Sequence, residues 1–268
     1  SGLVPNFCDI DKKSLAIDIN KISNKINKKT SIVLAVSPMT AELDYKNLYE
    51  ISKKTPVVID NVENANFKNG YNLYAKRLTQ VYSLHASKLL NGGEGGYVIT
   101  NKKSVYLKLI SARGKFEKKD CSYFNLNPIH ALVAITNLTK LNDLIYNNKI
   151  IYNLYEKLMS KNKFFDFIKH KNSHSSYKMI LIRLKDNVKI KRDKIIKILN
   201  SENILARPYY SPPLHKKNLK YKFIAESLPI TNLEKNKYIV MPSGYKITVS
   251  NVEKIFKFLN FIFKNQSK

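Results

Sequence analysis

Cysteine is the scarcest useful residue in this chain: Cys8 and Cys121 are the only two in 268 residues. That count excludes a disulfide framework and points to a reducing, cytoplasmic setting with two ordinary thiols. No apolar run approaches the ~18 residues that a helical membrane span needs, so no membrane partner is expected. The opening residues Ser1, Gly2, Leu3, Val4 and Pro5 lack the basic and apolar regions of a signal peptide. With no initiator Met, the sequence reads as a fragment or a processed product. Acidic residues are few, 20 against 47 Lys and Arg, for a formal charge of +27. Arginine is rare within that excess: Arg77, Arg113, Arg183, Arg192 and Arg207 are all there are. A surface that reads bases favours Arg for its bidentate geometry, whereas here lysines are spread along the whole chain among Asn, Ile and Tyr. The charge therefore reads as compositional bias, and no nucleic-acid partner is expected. A positive field would still attract an anionic, phosphate-bearing substrate.

Hydrophobic residues make up 44% of the chain, enough for one large domain plus a smaller one. Residues 3–10 read as a strand, and 18–26 as a helix with Ile19, Ile22 and Ile26 on one face. Residues 31–36 form the continuous apolar run expected of a parallel strand covered on both faces. A helix over 44–52, a strand over 56–59, a turn at Asn69 and Gly70, and a strand over 80–84 follow. This alternation predicts an α/β domain with a mostly parallel sheet. Residues 97–100 read as a further strand and 104–112 as a helix, with a break at Arg113, Gly114 and Lys115. Long helical stretches over 127–144 and 149–159 lead to a smaller α+β lobe. In that lobe we expect a strand over 179–184, a helix over 190–199, a loop over 206–215, a strand over 238–241 and a helix over 249–263. The expected division is 1–147 for the large domain and 148–268 for the small one.

The chain holds only eight glycines, and Gly92, Gly93, Gly95 and Gly96 fall within five positions. Such crowding implies a backbone path closed to other residues. Just before it, Ser83, His85 and Lys88 sit where a strand gives way to a loop, the place where α/β proteins bind ligands. A lysine there can act as a Schiff-base nucleophile if burial or a neighbouring cation frees its amine. Asp60 ends the apolar strand Val57, Val58, Ile59 and lies one βα unit earlier; a carboxylate in that position tends to be paired or functional. His170 and His174 are four apart, but lysines and polar residues surround them and no Cys or acidic ligand is near, so no metal site is expected.

Taken together, Val57 to Glu63, Ser83 to Lys88 and the glycine cluster around Glu94 resemble the DegT/DnrJ/EryC1/StrS family of pyridoxal-phosphate-dependent sugar aminotransferases. The resemblance extends in order through Leu126, Asn127, Pro128 and His130, then Arg207, Pro208, Tyr209, Tyr210, Pro213, Leu214 and His215, and finally Met241, Pro242, Ser243 and Gly244. It implies an aspartate-aminotransferase-like fold (fold type I), pyridoxal 5'-phosphate as cofactor, and amino transfer, usually from glutamate, to a keto group of a nucleotide-linked sugar, as in polysaccharide biosynthesis. It also implies a homodimer, with the loop over 115–127 reaching the second subunit. Lys88 is then the cofactor-bearing lysine and proton shuttle, Asp60 the partner of the pyridine nitrogen, and Ser83 a hydroxyl on the cofactor phosphate. His85, Arg207, Tyr209 and His215 fall on the substrate side. Glu63 stands at a cofactor-facing position where the family usually carries Gln or His, and Tyr123 and Asn125 depart from its phosphate-binding loop. The family's dehydratase branch replaces the lysine with histidine, and this chain keeps Lys88. The family's large domain opens with elements, including a backbone cradle for the phosphate, that have no counterpart before Leu3. A reading of another class stays open beside this one, a relative without turnover that acts as a binding or scaffold module.

Overall fold

The computed structural model describes residues 2–64, 72–115, 125–171 and 175–266. The expected turn at Asn69 and Gly70, and the positions of Cys121, Tyr123 and His174, lie outside these residues, as does most of the loop over 115–127. Two four-stranded sheets are found among the described residues. The first runs in the order β1 (Val33–Val36), β2 (Val57–Asp60), β3 (Thr79–Ser83), β4 (Gly96–Ile99). Strands β1, β2 and β3 are parallel, with Val36 opposite Asp60 and Asp60 opposite Val81, and β4 runs antiparallel along β3. The carboxyl ends of the three parallel strands, at Val36, Asp60 and Ser83, therefore share one edge.

One face of this sheet is sealed by α1 (Ile19–Ile22) and α2 (Tyr45–Ser52), each started by an aspartate, Asp18 or Asp44, whose side chain accepts a backbone N–H. Ala35, Ile59 and Leu48 are fully buried between sheet and helices. Double coverage of residues 31–36 is not what the structure shows: burial alternates, and Leu34 and Val36 are 58% and 50% exposed. The apolar run marks a strand correctly but says nothing of what lies on each face. The strand expected over residues 3–10 is likewise absent. Among the described residues only single bridges, Asn6 to Ile224 and Ile10 to Ile17, involve this segment, and Asp9 is turned inward to Ile230 and Thr231, far along the chain.

Beyond β4 come α3 (Lys103–Ile110), α4 (Pro128–Thr139) and α5 (Leu141–Met159). The helix expected over 127–144 is interrupted at Lys140, whose φ −96° and ψ 1° turn the axis between α4 and α5. The second sheet is antiparallel, in the order β5 (Phe165–Phe167), β6 (Ile180–Leu184), β8 (Tyr238–Met241), β7 (Arg207–Pro208). Helices α6 (Arg192–Ser201) and α8 (Val249–Lys264), with the end of α5, cover it. Their apolar stripes close a core around Ile180, Ile182, Ile195, Leu199, Ile239 and Leu259. The short β5 and β7 and the helix α7 (Pro229–Glu234) carry too little periodicity to be read from sequence.

The two sheets are joined by a cluster of Met39, Met179, Leu181 and Tyr238, with Tyr209 packed against it. A backbone bond from Lys171 N to Thr40 O, 2.8 Å, crosses the same seam. Farther out, the buried Asp9 carboxylate accepts from Ile230 N, Thr231 N and Thr231 Oγ1 at the start of α7 and from Lys21 Nζ. The seam thus sets the second sheet against the carboxyl edge of the first.

Candidate active site at the strand ends

The chain leaves β3 at Ser83 and returns into β4 through the glycine cluster. Leu84 N bonds Gly95 O at 2.8 Å, Ala86 N bonds Gly93 O at 2.7 Å, and Gly92 N bonds Leu84 O at 2.7 Å. Gly95 has φ +107°, open to glycine and costly for other residues. At Gly92 a Cβ would lie 2.6 Å from the carbonyl oxygen of His130, in the first turn of α4. The glycines therefore let a tight return loop press against the helix, which fixes the turn from which Lys88 projects.

Within that turn, Lys88 N donates to His85 O at 2.9 Å, and His85 Nδ1 accepts from Ser87 N at 3.1 Å. Ser83 Oγ accepts from His85 N at 3.2 Å. The His85 ring is largely exposed, with Nε2 3.7 Å from Glu94 Oε1. The Lys88 side chain is 13% exposed and its Nζ is hydrogen-bonded to Oε1 of Glu63, itself 22% exposed. Glu63 stands on the turn after β2. Asn64 pins that turn, its Nδ2 donating to Ser37 Oγ at 2.8 Å, and Asn61 Nδ2 reaches back to Gln80 Oε1 at 2.6 Å.

Asp60, at the end of β2, takes Val62 N at 3.1 Å, and among the described residues no cation lies within ion-pair distance of it. The fold thus brings Asp60, Glu63, Ser83 and Lys88 to one edge. From the second sheet, β7 brings Arg207, and Tyr209 and Tyr210 follow it. Burial raises the Tyr209 phenol above its ordinary range, with Tyr210, Tyr238 and Glu63 adding to the effect. Desolvation, then the Glu63 and Asp60 carboxylates, raises the Tyr210 phenol as well. Both tyrosines are therefore neutral; Tyr209 lies close enough to feel Glu63, and Tyr210 close enough to feel both acids. His215 is not brought there: its Nε2 lies 3.1 Å from Asn232 Oδ1 of α7, and no contact joins it to Lys88, Glu63 or Asp60 among the described residues.

One charged group in the site has no signal in the sequence beyond being one lysine among many. Lys178, just before β6, donates from Nζ to the carbonyl oxygen of Ser87, the residue next to Lys88. Its own carbonyl accepts from Ser243 Oγ. Burial lowers the Lys178 ammonium below its ordinary range; Glu63 opposes that shift, and Lys88 and Arg207 add to it.

A mostly parallel sheet with an amine and a carboxylate at its carboxyl edge, faced by a separate antiparallel sheet, is the architecture of fold type I pyridoxal-phosphate-dependent transferases. The structure of DesI in the presence of its TDP-sugar product superposes over 98% of this chain and 70% of that one, with a TM-score of 0.86 at 20% identity. The sequence profile of the DegT/DnrJ/EryC1/StrS aminotransferase family matches residues 1–260, and the chain belongs to that family. Among its relatives, a dTDP-4-amino-4,6-dideoxy-D-glucose transaminase of Escherichia coli is 26% identical over 97% of this chain and 74% of its own length. A GDP-perosamine synthase of Vibrio cholerae is 23% identical over 95% of this chain and 72% of its own.

Proposed function

We propose that the chain is a pyridoxal-phosphate-dependent aminotransferase that places an amino group, drawn from glutamate, on a keto group of a nucleotide-linked sugar. The observation that carries this reading is the presence at one sheet edge of a largely buried amine, Lys88, held by Glu63, and a partly buried carboxylate, Asp60, that has no cation within ion-pair distance among the described residues. These residues fit the cofactor. Lys88 offers a nucleophilic nitrogen, Asp60 a counter-charge for a protonated ring nitrogen, and the Ser83 hydroxyl a donor for a phosphate oxygen. Pyridoxal phosphate supplies an aldehyde and an electron-poor ring that accepts the electron pair of a broken C–H bond.

The chain's own residues supply the rest. Lys88 Nζ takes and returns the proton that moves between carbons, which needs a free amine within reach of both. Asp60 holds a proton in place on the ring nitrogen. Tyr209 packs against the apolar cluster of Met39 and Met179 that joins the two sheets next to these strand ends. Arg207 and the +27 net charge favour a phosphate-bearing substrate. His85 and Tyr209 are placed on the substrate side in the same proposal, whereas His215 is bonded to Asn232 of α7. The division into a cofactor domain over 1–147 and a small domain over 148–268 and the reducing, cytoplasmic setting are parts of the same proposal. So is the homodimer. Support for it comes from the apolar residues that α4 leaves open, among them Ile129 and Leu132, 70% and 65% exposed. Among the described residues no helix is long and apolar enough to cross a membrane.

The deciding experiment incubates the protein with pyridoxal phosphate, reduces with borohydride, and maps the modified peptide. Label on Lys88, lost in Lys88→Ala, is the expected result; label elsewhere, or full amino transfer by Lys88→Ala, removes the reading. A second reading, binding without turnover, draws on Glu63, whose carboxylate occupies the Lys88 amine. Amino transfer to a nucleotide-linked keto-sugar that stays at background while Lys88 still takes the label would favour it.

A further inference from the structure

Glu63 is bonded to one ammonium, that of Lys88, and a second, that of Lys178, lies within its field. Lys88 holds its Oε1. Lys178 lies within the field of Glu63, Lys88 and Arg207, yet among the described residues its single hydrogen bond goes to the Ser87 carbonyl and no carboxylate is within ion-pair distance. Arg207, exposed on β7, has no side-chain hydrogen bond or ion pair among the described residues. Tyr209 and Tyr210 also lie within the field of Glu63, and Tyr210 within that of Asp60. A partly buried ammonium with two N–H donors that find no partner among the described residues is costly unless an anion is available to it.

On the aminotransferase reading, that anion becomes available during the reaction. Lys88 Nζ first loses one proton to solvent and gives up its bond to Glu63. Its electron pair then adds to a carbonyl carbon, and the carbonyl oxygen departs as water with the two hydrogens left on the amine. Glu63, 22% exposed, is then a half-buried carboxylate without its bonded partner.

We propose that Lys178 is the positioning residue that takes over Glu63 when Lys88 releases it. Its anchor on Ser87, one residue from Lys88, holds the ammonium at the turn that carries Lys88 through the exchange, and the donors left without a partner among the described residues make the new pair. This inference rests on the aminotransferase reading and adds to it a charge relay of Lys88, Glu63 and Lys178.

The test is a double-mutant cycle on cofactor capture at one pH. Borohydride-fixed label on Lys88 is quantified against pyridoxal phosphate concentration, with thermal melts confirming that each variant is folded. Lys178→Met should raise the half-saturating concentration about tenfold when Glu63 is present, and less than about twofold in Glu63→Gln, because contacting residues couple and unconnected ones do not. Lys178→Arg should restore most of the capture; Lys178→Gln replaces Lys178→Met if the latter melts. An equal loss in both backgrounds would mean that Lys178 acts through Ser87 or on the cofactor itself, and would overturn the proposal. So would no loss in either. Absence of label on Lys88 in the unsubstituted protein removes the aminotransferase reading, and the handover with it, whereas label with no coupling removes the handover alone.

Discussion

Lys88, on the turn after β3, and Glu63, on the turn after β2, meet as an ion pair across neighbouring strand ends although 25 residues separate them. The pair is more buried than an ordinary surface bridge, with side chains 13% and 22% exposed. It therefore holds the amine more firmly than the fraction of a kcal/mol typical of exposed pairs. Glu63 in this light restrains the amine that the reaction needs.

The first expected outcome follows from that restraint. Glu63→Gln keeps the side chain's size and removes its charge, so Lys88 no longer has to break an ion pair before it reacts. Capture of pyridoxal phosphate should strengthen by up to about tenfold, the equivalent of roughly 1.4 kcal/mol for a half-buried pair. A cofactor titration followed by absorbance checks it; weaker capture in Glu63→Gln would show that the carboxylate assists the amine.

Asp60 gives a different signature. Its substitution by Asn preserves shape and the bond from Val62 N but cannot hold a proton on the ring nitrogen. Label on Lys88 should persist while amino transfer falls by at least about 100-fold, the lower range for loss of a positioned acid or base. Single-turnover rates with glutamate separate this from a loss of cofactor.

How far the sequence carried these conclusions differs by element. The parallel strands, Asp60 at the end of β2 and Lys88 after β3 were legible because a buried strand writes its apolar run in consecutive residues and the glycine cluster writes its turn. What could not be read depends on residues far apart in the chain. Residues 3–10 look like a strand locally, but Asp9 is drawn to α7 more than 200 positions away. The open face of β1 looks covered because Leu34 and Val36 are apolar. Lys178 is invisible among so many lysines until β6 sets it against Ser87, and the bond between Lys88 and Glu63 is a meeting of two loops. His215 shows the converse, a residue placed at the site by resemblance that the structure pairs with Asn232 instead.

The glycine loop makes its own prediction. Gly92→Ala would put a Cβ 2.6 Å from the His130 carbonyl oxygen and 3.2 Å from Ala134 Cβ, both on α4. Helix backbone cannot yield as a flexible side chain does, so the loop or the helix must shift at a cost of about 1–3 kcal/mol. The melting temperature should fall by about 2–4 °C per kcal/mol in a chain of this size, and Lys88 should capture cofactor less well because its turn is moved. Unchanged melting in Gly92→Ala would show that α4 is not seated against the loop.

Acid stability should depend on Asp9. Burial by itself would raise this carboxyl, but the Thr231 hydroxyl, Lys21 and the backbone N–H groups of Thr231 and Ile230 outweigh burial and hold it well below the usual carboxylate range. A depressed folded-state value means that the stabilisation is fully present above the ordinary aspartate range, near pH 4, and is lost as pH falls toward the folded value. Asp9→Asn discards the charge and strands several donors at the start of α7, and should cost roughly 2 kcal/mol near neutral pH, within the range for hydrogen bonds to a charged group. The penalty should shrink as the pH falls below about 4, because Asp9 of the unfolded chain then takes up a proton that the folded carboxylate resists, and the charge stabilises the fold less. Denaturant unfolding of both proteins at pH 7, 5 and 3 checks the sign. A penalty that grows toward low pH would show that Asp9 is held above, and not below, its ordinary value, and that the seam between α1 and α7 is not electrostatic.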